Sequence, residues 1–262
     1  MPSSDIIDYE IVGDDLQAVI ITLDPGEACI AEAGGMMFME EGMDMATQLS
    51  FGQNPSLWGG LLAAGKRLIA GESFFLTLFA NRASVRRSVG FAAPYPGHII
   101  PLNLSDHPGG ILCEKDAFLC AARGTDVDIA FNRRLGAGFF GGEGFILQRL
   151  RGDGHAFLHA GGSILQRSLT PGETLRVDTG CIDAFESTVE YDIQFVGGVK
   201  TALFGGEGLF FATLKGPGNV WIQTLPFSRL ADRIIASAPQ HGGKQVGEGS
   251  LVGGLWRMVD GR

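Results

Sequence analysis

The groups best placed to do chemistry are three glutamates held in one recurring phrase. Phe140-Gly141-Gly142-Glu143-Gly144-Phe145 returns as Phe204-Gly205-Gly206-Glu207-Gly208-Leu209, and a looser copy stands at Ile69-Ala70-Gly71-Glu72-Ser73-Phe74. A glycine-rich phrase can cradle phosphate when its backbone amides open a helix and a Lys-Ser/Thr follows. Here apolar, strand-like runs follow instead, no lysine stands next, and the phrase recurs. The structural reading outweighs the phosphate one: the glycines supply turn geometry, and each glutamate caps amides or pairs with an arginine. If Glu72, Glu143 and Glu207 converged on one point, they would attract a hard cation. No cofactor is called for by any of these residues.

Other constellations are weaker. His155 and His159 lie four apart, a ligand spacing on a helix. Their context reads as strand, where that separation spans about 13 Å. His98, His107 and His241 have no partner spacing, and the five histidines include no His-x-His. Cys29, Cys113, Cys120 and Cys181 form no CxxC pair; buried thiols in a reducing compartment are expected. A Gly-x-Ser-x-Gly elbow is absent, and Gly161-Gly162-Ser163 resembles one only superficially. The expectation is a protein without catalytic residues.

The elements that must position these groups repeat with them. Glu72, Glu143 and Glu207 are 71 and 64 residues apart. A second marker keeps the same register: Pro25-Gly26-Glu27, Pro108-Gly109-Gly110 and Pro171-Gly172-Glu173. Agreement between two markers predicts one unit built three times. Apolar runs split by Gly152-Asp153-Gly154 and by Gly216-Pro217-Gly218 read as β-hairpins. Thr174-Leu175-Arg176-Val177-Asp178 alternates as a half-buried strand should. The predicted fold is all-β, with double-stranded β-helix or β-sandwich units in three pseudo-symmetric repeats, about 5–100, 101–165 and 166–225. A helix over 226–237 closes one domain spanning 1–237, its apolar stripe being Leu230, Ala231, Ile234 and Ile235. Residues 238–262 read as a glycine-rich tail.

Composition bounds the partners. Forty glycines in 262 residues fit many tight reversals, and a net charge of −9 fits nucleic acid poorly. Residues 1–15 are polar and acidic, unlike a secretory signal, and no run reaches the length of a membrane span. A cytoplasmic protein is expected. The first unit carries extra residues near 41–65, where Leu57, Trp58, Leu61 and Leu62 stand beside Lys66-Arg67. That segment could pack on its own sheet, contact another subunit, or lie on a membrane surface.

The Pro-Gly markers, Gly71-Glu72-Ser73-Phe74-Phe75, the two Phe-Gly-Gly-Glu-Gly phrases and Leu225-Pro226-Phe227-Ser228-Arg229-Leu230-Ala231-Asp232 together resemble bacterial members of the altered-inheritance-of-mitochondria family. The resemblance runs from about residue 5 to 237. It implies a fold similar to the tryptophan RNA-binding attenuation protein, and no assigned catalytic residue. The mitochondrial relatives are linked to inner-membrane organisation; no targeting segment is evident here. The reading is therefore a non-enzymatic oligomeric scaffold or binding protein, a trimer by analogy, with its protein partner unnamed. A ligand binder or enzyme with a site in one unit is the alternative, and a peripheral membrane scaffold is a third. Unequal units would separate them, and the second unit is the richest, with His107, Asp116, Arg123, Arg133, Arg134, His155 and His159.

Overall fold

The structure, a computed structural model, describes residues 4–49, 75–133, 145–195 and 210–237. Valine, isoleucine, phenylalanine and alanine fill short runs between Gly- and Pro-containing turns, and these runs become strands. In chain order they are β1 (Asp8–Val12), β2 (Ala18–Leu23), β3 (Ala28–Glu32), β4 (Met36–Met39), β5 (Met43–Leu49), β6 (Phe75–Asn81), β7 (Arg87–Phe91) and β8 (Gly97–Asn103). Next come β9 (Ile111–Glu114), β10 (Phe118–Ala122), β11 (Asp126–Arg133), β12 (Phe145–Arg151), β13 (His155–Gly161) and β14 (Ile164–Leu169). The last group is β15 (Thr174–Asp178), β16 (Ile182–Glu186), β17 (Glu190–Phe195), β18 (Phe210–Lys215) and β19 (Gly218–Gln223). A single α-helix among the described residues, α1 (Phe227–Ser237), follows. The protein is all-β with a helix near its C-terminal end.

The strands form four sheets. The first runs β1-β2-β7-β4, the second β5-β6-β3-β10-β13-β8, the third β11-β12-β9-β16-β19-β14, and the fourth β15-β18-β17. Adding six to each strand number of the second sheet reproduces the third. The fourth continues the series as its first three strands. Every pairing between these strands is antiparallel.

Three apolar clusters join the sheets. Val19, Ile21, Phe79, Val89, Phe91 and Phe157 link the first sheet to the second. Ile100, Leu102, Phe118, Leu150, Leu158 and Trp221 link the second to the third. Leu147, Val177, Phe185, Leu214 and Val220 link the third to the fourth. The second and third sheets are covered on both faces, so β10 and β13 are almost wholly buried. Burying each such large side chain contributes about 1.5–3 kcal/mol.

The hairpin reading of the Gly-Asp-Gly and Gly-Pro-Gly turns is corrected. β12 lies in the third sheet and β13 in the second; β18 lies in the fourth and β19 in the third. Each turn carries the chain between layers instead of back along one sheet. Strands apolar on both faces need a layer on each side, and this crossing supplies both. Asn81 is fully buried at the end of β6. Its amide donates to Leu23 O and Val85 O, each at 2.9 Å, and its oxygen accepts from Ala83 N at 2.9 Å. It therefore replaces a backbone ladder where β2 and β6 end.

One irregularity recurs. The register slips by one residue at Met37 in β4, at Leu119 in β10 and at Asp183 in β16. Each is a β-bulge, which leaves one residue unpaired and re-aims its side chain. Met37 is exposed, whereas Leu119 and Asp183 are buried.

The chain divides into two units, Met1–Ser228 and Arg229–Arg262. The described part of the second unit is the remainder of α1, where Ile234 and Ile235 are exposed. No described helix is long and apolar enough to cross a membrane.

Candidate functional site

The residues singled out by the repeated phrase lie outside the described residues: Gly71, Glu72, Gly141, Gly142, Glu143, Gly144, Gly205, Gly206, Glu207 and Gly208. So do Leu57, Trp58, Leu61 and Leu62. Among the strands, the register makes positions of successive sheets equivalent.

One such comparison finds a difference. Continuing the ladders by one pair places three residues in a row across neighbouring strands: Thr22, Ser88 and Glu40; Asn103, His155 and Ala122; Ser168, Asn219 and Glu186. In the first row Ser88 N donates to Glu40 Oε2 at 2.9 Å. In the third, Asn219 N donates to Glu186 Oε2 at 2.9 Å, and the Asn219 amide donates to Oε1 at 3.0 Å. Ser168 Oγ pairs with Asn219 Oδ1. A carboxylate bonded to the next strand's backbone in two rows is structural. In the third row alone a histidine from outside the row bonds the carboxylate: His107 Nδ1 lies 2.9 Å from Glu186 Oε1.

Local sequence puts His107 there. Asn103 Oδ1 accepts from Ser105 N at 3.2 Å and caps a short 3-10 turn, Leu104–Asp106, which is pinned by buried Leu104. His107 N donates to Leu104 O and closes that turn. Pro108-Gly109-Gly110 then brings the chain against the next strand, with Gly110 N donating to His107 O at 2.7 Å. Gly110 has φ +86°, and a Cβ there would meet Leu150 O at 2.6 Å, so glycine is required on both counts.

A cleft of about 360 Å³ opens beside this network, between edge strands β8 and β14. Its apolar lining includes Leu102, Ile164 and Trp221, and its polar lining includes Asn103, Gln166 and Asn219. The His107 ring meets Trp221 edge-on at 6.0 Å. His107 and Glu186 remain partly open to solvent, at 13% and 20%. Burial alone would raise the Glu186 carboxyl, but the Asn219 backbone N–H, the Asn219 amide and His107 together hold it below the usual carboxylate range. The cleft thus sets apolar side chains beside an imidazole that the Glu186 carboxylate orients from outside the lining.

The sequence profile of the family described as "Mitochondrial biogenesis AIM24" matches residues 9–225. The chain belongs to the AIM24 family. An uncharacterized protein of Streptococcus pyogenes serotype M6 is 26% identical over 222 residues, covering 84% of this chain and 86% of that one. A Streptococcus pyogenes protein of known crystal structure is 22% identical and superposes with a TM-score of 0.70, covering 88% of this chain and all of the other. The last likeness concerns fold alone.

A second polar group in this AIM24-family chain surrounds the third bulge. Asp183 is fully buried, with no hydrogen-bond partner for either oxygen among the described residues. Burial pushes its carboxyl well above the usual range. Glu114 is pushed up to about 8 by burial and then by Asp116, and Glu32 to about 7 by the same two causes in that order. Tyr95 is raised by burial and by these acids, and its ring stands edge-on to buried His159 at 4.6 Å. Burial holds His159 down to about 4. Among the described residues no three His, Cys, Asp or Glu side chains are placed to hold a metal ion. Burial thus holds the Asp183, Glu114 and Glu32 carboxyls above the usual carboxylate range.

Of the second-unit residues named from the sequence, the structure brings only His107 to the cleft. Arg123 pairs with Asp5 at 2.9 Å, and His155 stacks against Phe157 and meets Tyr9 at a tilt. Asp116 joins the acids around Glu114, and His159 sits against Tyr95. Of Arg133 only its strand position is described, and Arg134 lies outside the described residues. Free thiols were expected: Cys29, Cys113 and Cys120 are buried and free, and Cys181 is half-buried.

The network has a pH signature. A folded carboxyl held below its ordinary value of 4.5 stabilises the fold above that pH and loses the contribution as pH falls through the folded value. Glu186→Gln is expected to cost about 1–2 kcal/mol at pH 7, from weakened hydrogen bonds to Asn219 and His107. Chemical denaturation at pH 7 and pH 3 should show that cost shrinking in acid. An equal cost at both values would detach it from the carboxylate's charge.

Proposed function

We propose that this AIM24-family chain is a non-enzymatic binding protein that seats a small ligand in the cleft between β8 and β14. The observation that carries the reading is the inequality of the three rows: in one alone a histidine bonds the row's carboxylate, and that histidine lines the cleft. An apolar floor with a few fixed polar groups is the usual make-up of a small-molecule site. Trp221 and Ile164 offer the apolar contact; Gln166 and Asn103 offer hydrogen bonds. The Glu186 oxygens already accept from His107 and Asn219. That arrangement favours holding a ligand in place over moving a proton. Buried free thiols fit a reducing compartment, so the cytoplasm is the proposed location.

Native mass spectrometry of protein isolated gently from its own host tests this. The wild type is expected to carry a non-covalent small-molecule adduct that Ile164→Glu, which puts a charge into the cleft, largely loses. A wild type without adduct, or an adduct kept in full by the variant, would overturn the reading.

A further inference from the structure

We propose that β15 of one molecule pairs antiparallel with β4 of a second copy, completing between chains a ladder the fold makes twice within one chain. The second and third sheets each contain an interior joint: β3 beside β10, and β9 beside β16. In the first joint Ala31 faces Cys120 and Ile30 faces Ala121; in the second Cys113 faces Ala184 and Leu112 faces Phe185. The strand order makes β15 the counterpart of β3 and β9, and β4 the counterpart of β10 and β16. Yet β15 and β4 are both edge strands, in two separate sheets. The other described edges follow a different pattern: β5, β11 and β17 are edges alike, so are β8 and β14, and β1 is an added edge that covers their counterpart β2. β4 and β15 are edges where their counterparts are interior.

The register of the missing joint can be counted. Glu32, Glu114 and Asp178 each end their strand, and each stands four residues before the first residue of the next joint strand, Met36, Phe118 and Ile182. One residue before each acid stand Ala31, Cys113 and Val177; two residues after each strand start stand Phe38, Cys120 and Ala184. The two observed joints match Ala31 with Cys120 and Cys113 with Ala184. The third therefore matches Val177 with Phe38, Arg176 with Met39, and Leu175 with Glu40. The last pair has a precedent in Ile111 opposite Glu186.

Side chains support the assignment. Met37, Phe38 and Met39 are 56%, 41% and 38% exposed, whereas Ala184 and Phe185 are fully buried at their joint. An apolar edge with free backbone groups is a template for another strand. Among the described residues no strand lies on the open side of β4 or beside Leu175–Val177 of β15, and a second copy of the chain carries the matching edge for each. Such a contact is head-to-tail, and repeats into a ring if the rotation closes. Glu40 N donates to Ser88 O on β7. By strand alternation the Met39 N–H faces the open side.

Two variants with one added cysteine each test the pairing, both in a Cys181→Ser background because the other three thiols are buried. Phe38→Cys and Val177→Cys chains are mixed and mildly oxidised, since directly opposed antiparallel residues lie within disulfide reach. A linked dimer is expected from the mixture and from neither variant alone. Light scattering should show the wild type as an oligomer, and Met39→Pro as a monomer with its thermal transition largely kept. The cross-link reading stands even where Met39→Pro fails to fold. A wild type that is monomeric at every concentration overturns the proposal. So does a link that forms only inside one chain carrying both cysteines.

Discussion

Replacing Asp183 by leucine is expected to stabilise the protein at neutral pH by about 1–3 kcal/mol, the cost of leaving a buried polar group without a partner. That corresponds to a rise in Tm of about 2–10 °C for a chain of this size. The fold supplies its own control, because Leu119 occupies the matching bulge of β10 and is equally buried. The effect should depend on pH in a set direction. Burial raises the Asp183 carboxyl in the folded chain, while the unfolded chain ionises near the ordinary value of 3.8. A group raised in this way contributes fully below the unfolded value and costs stability as pH climbs towards the folded one. The gain from Asp183→Leu should thus be smallest near pH 4 and larger at pH 8. Glu114 at about 8 and Glu32 at about 7 act in the same sense, so the parent protein should weaken across that range. Denaturant midpoints at pH 4, 6 and 8 check this. A variant less stable than the parent at pH 8 would mean that Asp183 has a partner or a shape the bulge requires.

Truncating Phe157 is expected to cost more than any change at the cleft. The side chain is fully buried in β13, opposite Cys120 on one side and Pro101 on the other. Tyr9 meets its ring edge-on at 4.8 Å. Phe157→Ala removes a ring from the cluster joining the first and second sheets and leaves a cavity, which costs about 3–5 kcal/mol. Phe157→Leu keeps most of the volume and should cost less than about 1.5 kcal/mol. Thermal unfolding of the pair checks the prediction. Similar small losses from both would show that this layer is loosely packed.

The sequence made the all-β class readable because short apolar runs and Gly-Pro punctuation report strands directly. It also showed the Pro-Gly markers, which stand just before β3, β9 and β15. It misled at the Gly-Asp-Gly turn. A turn signal says where the chain reverses, not whether the next strand stays in the same sheet, and β12 and β13 separate there. The cleft was only partly visible. His107 stood out within a marker, but Glu186 and Asn219 are 79 and 112 residues further on (186 − 107 and 219 − 107) and sit in unremarkable runs. Only the ladder between β16 and β19 brings them to it. Nothing in the residues around Asp183 announced burial, because a bulge breaks the alternation that would have placed it.

That same break bears on how copies of one unit can drift apart. A residue on a regular strand is bound to the pleat, so an insertion beside it would turn every later side chain to the wrong face. The bulge residue is the extra member of its pair of strands, and its neighbours keep their partners whatever side chain it carries. Met36 and Phe38, Phe118 and Cys120, and Ile182 and Ala184 hold matching places around Met37, Leu119 and Asp183. The three matching bulges differ at this one position. It has accepted an exposed thioether, a core aliphatic and a buried acid on one unchanged backbone.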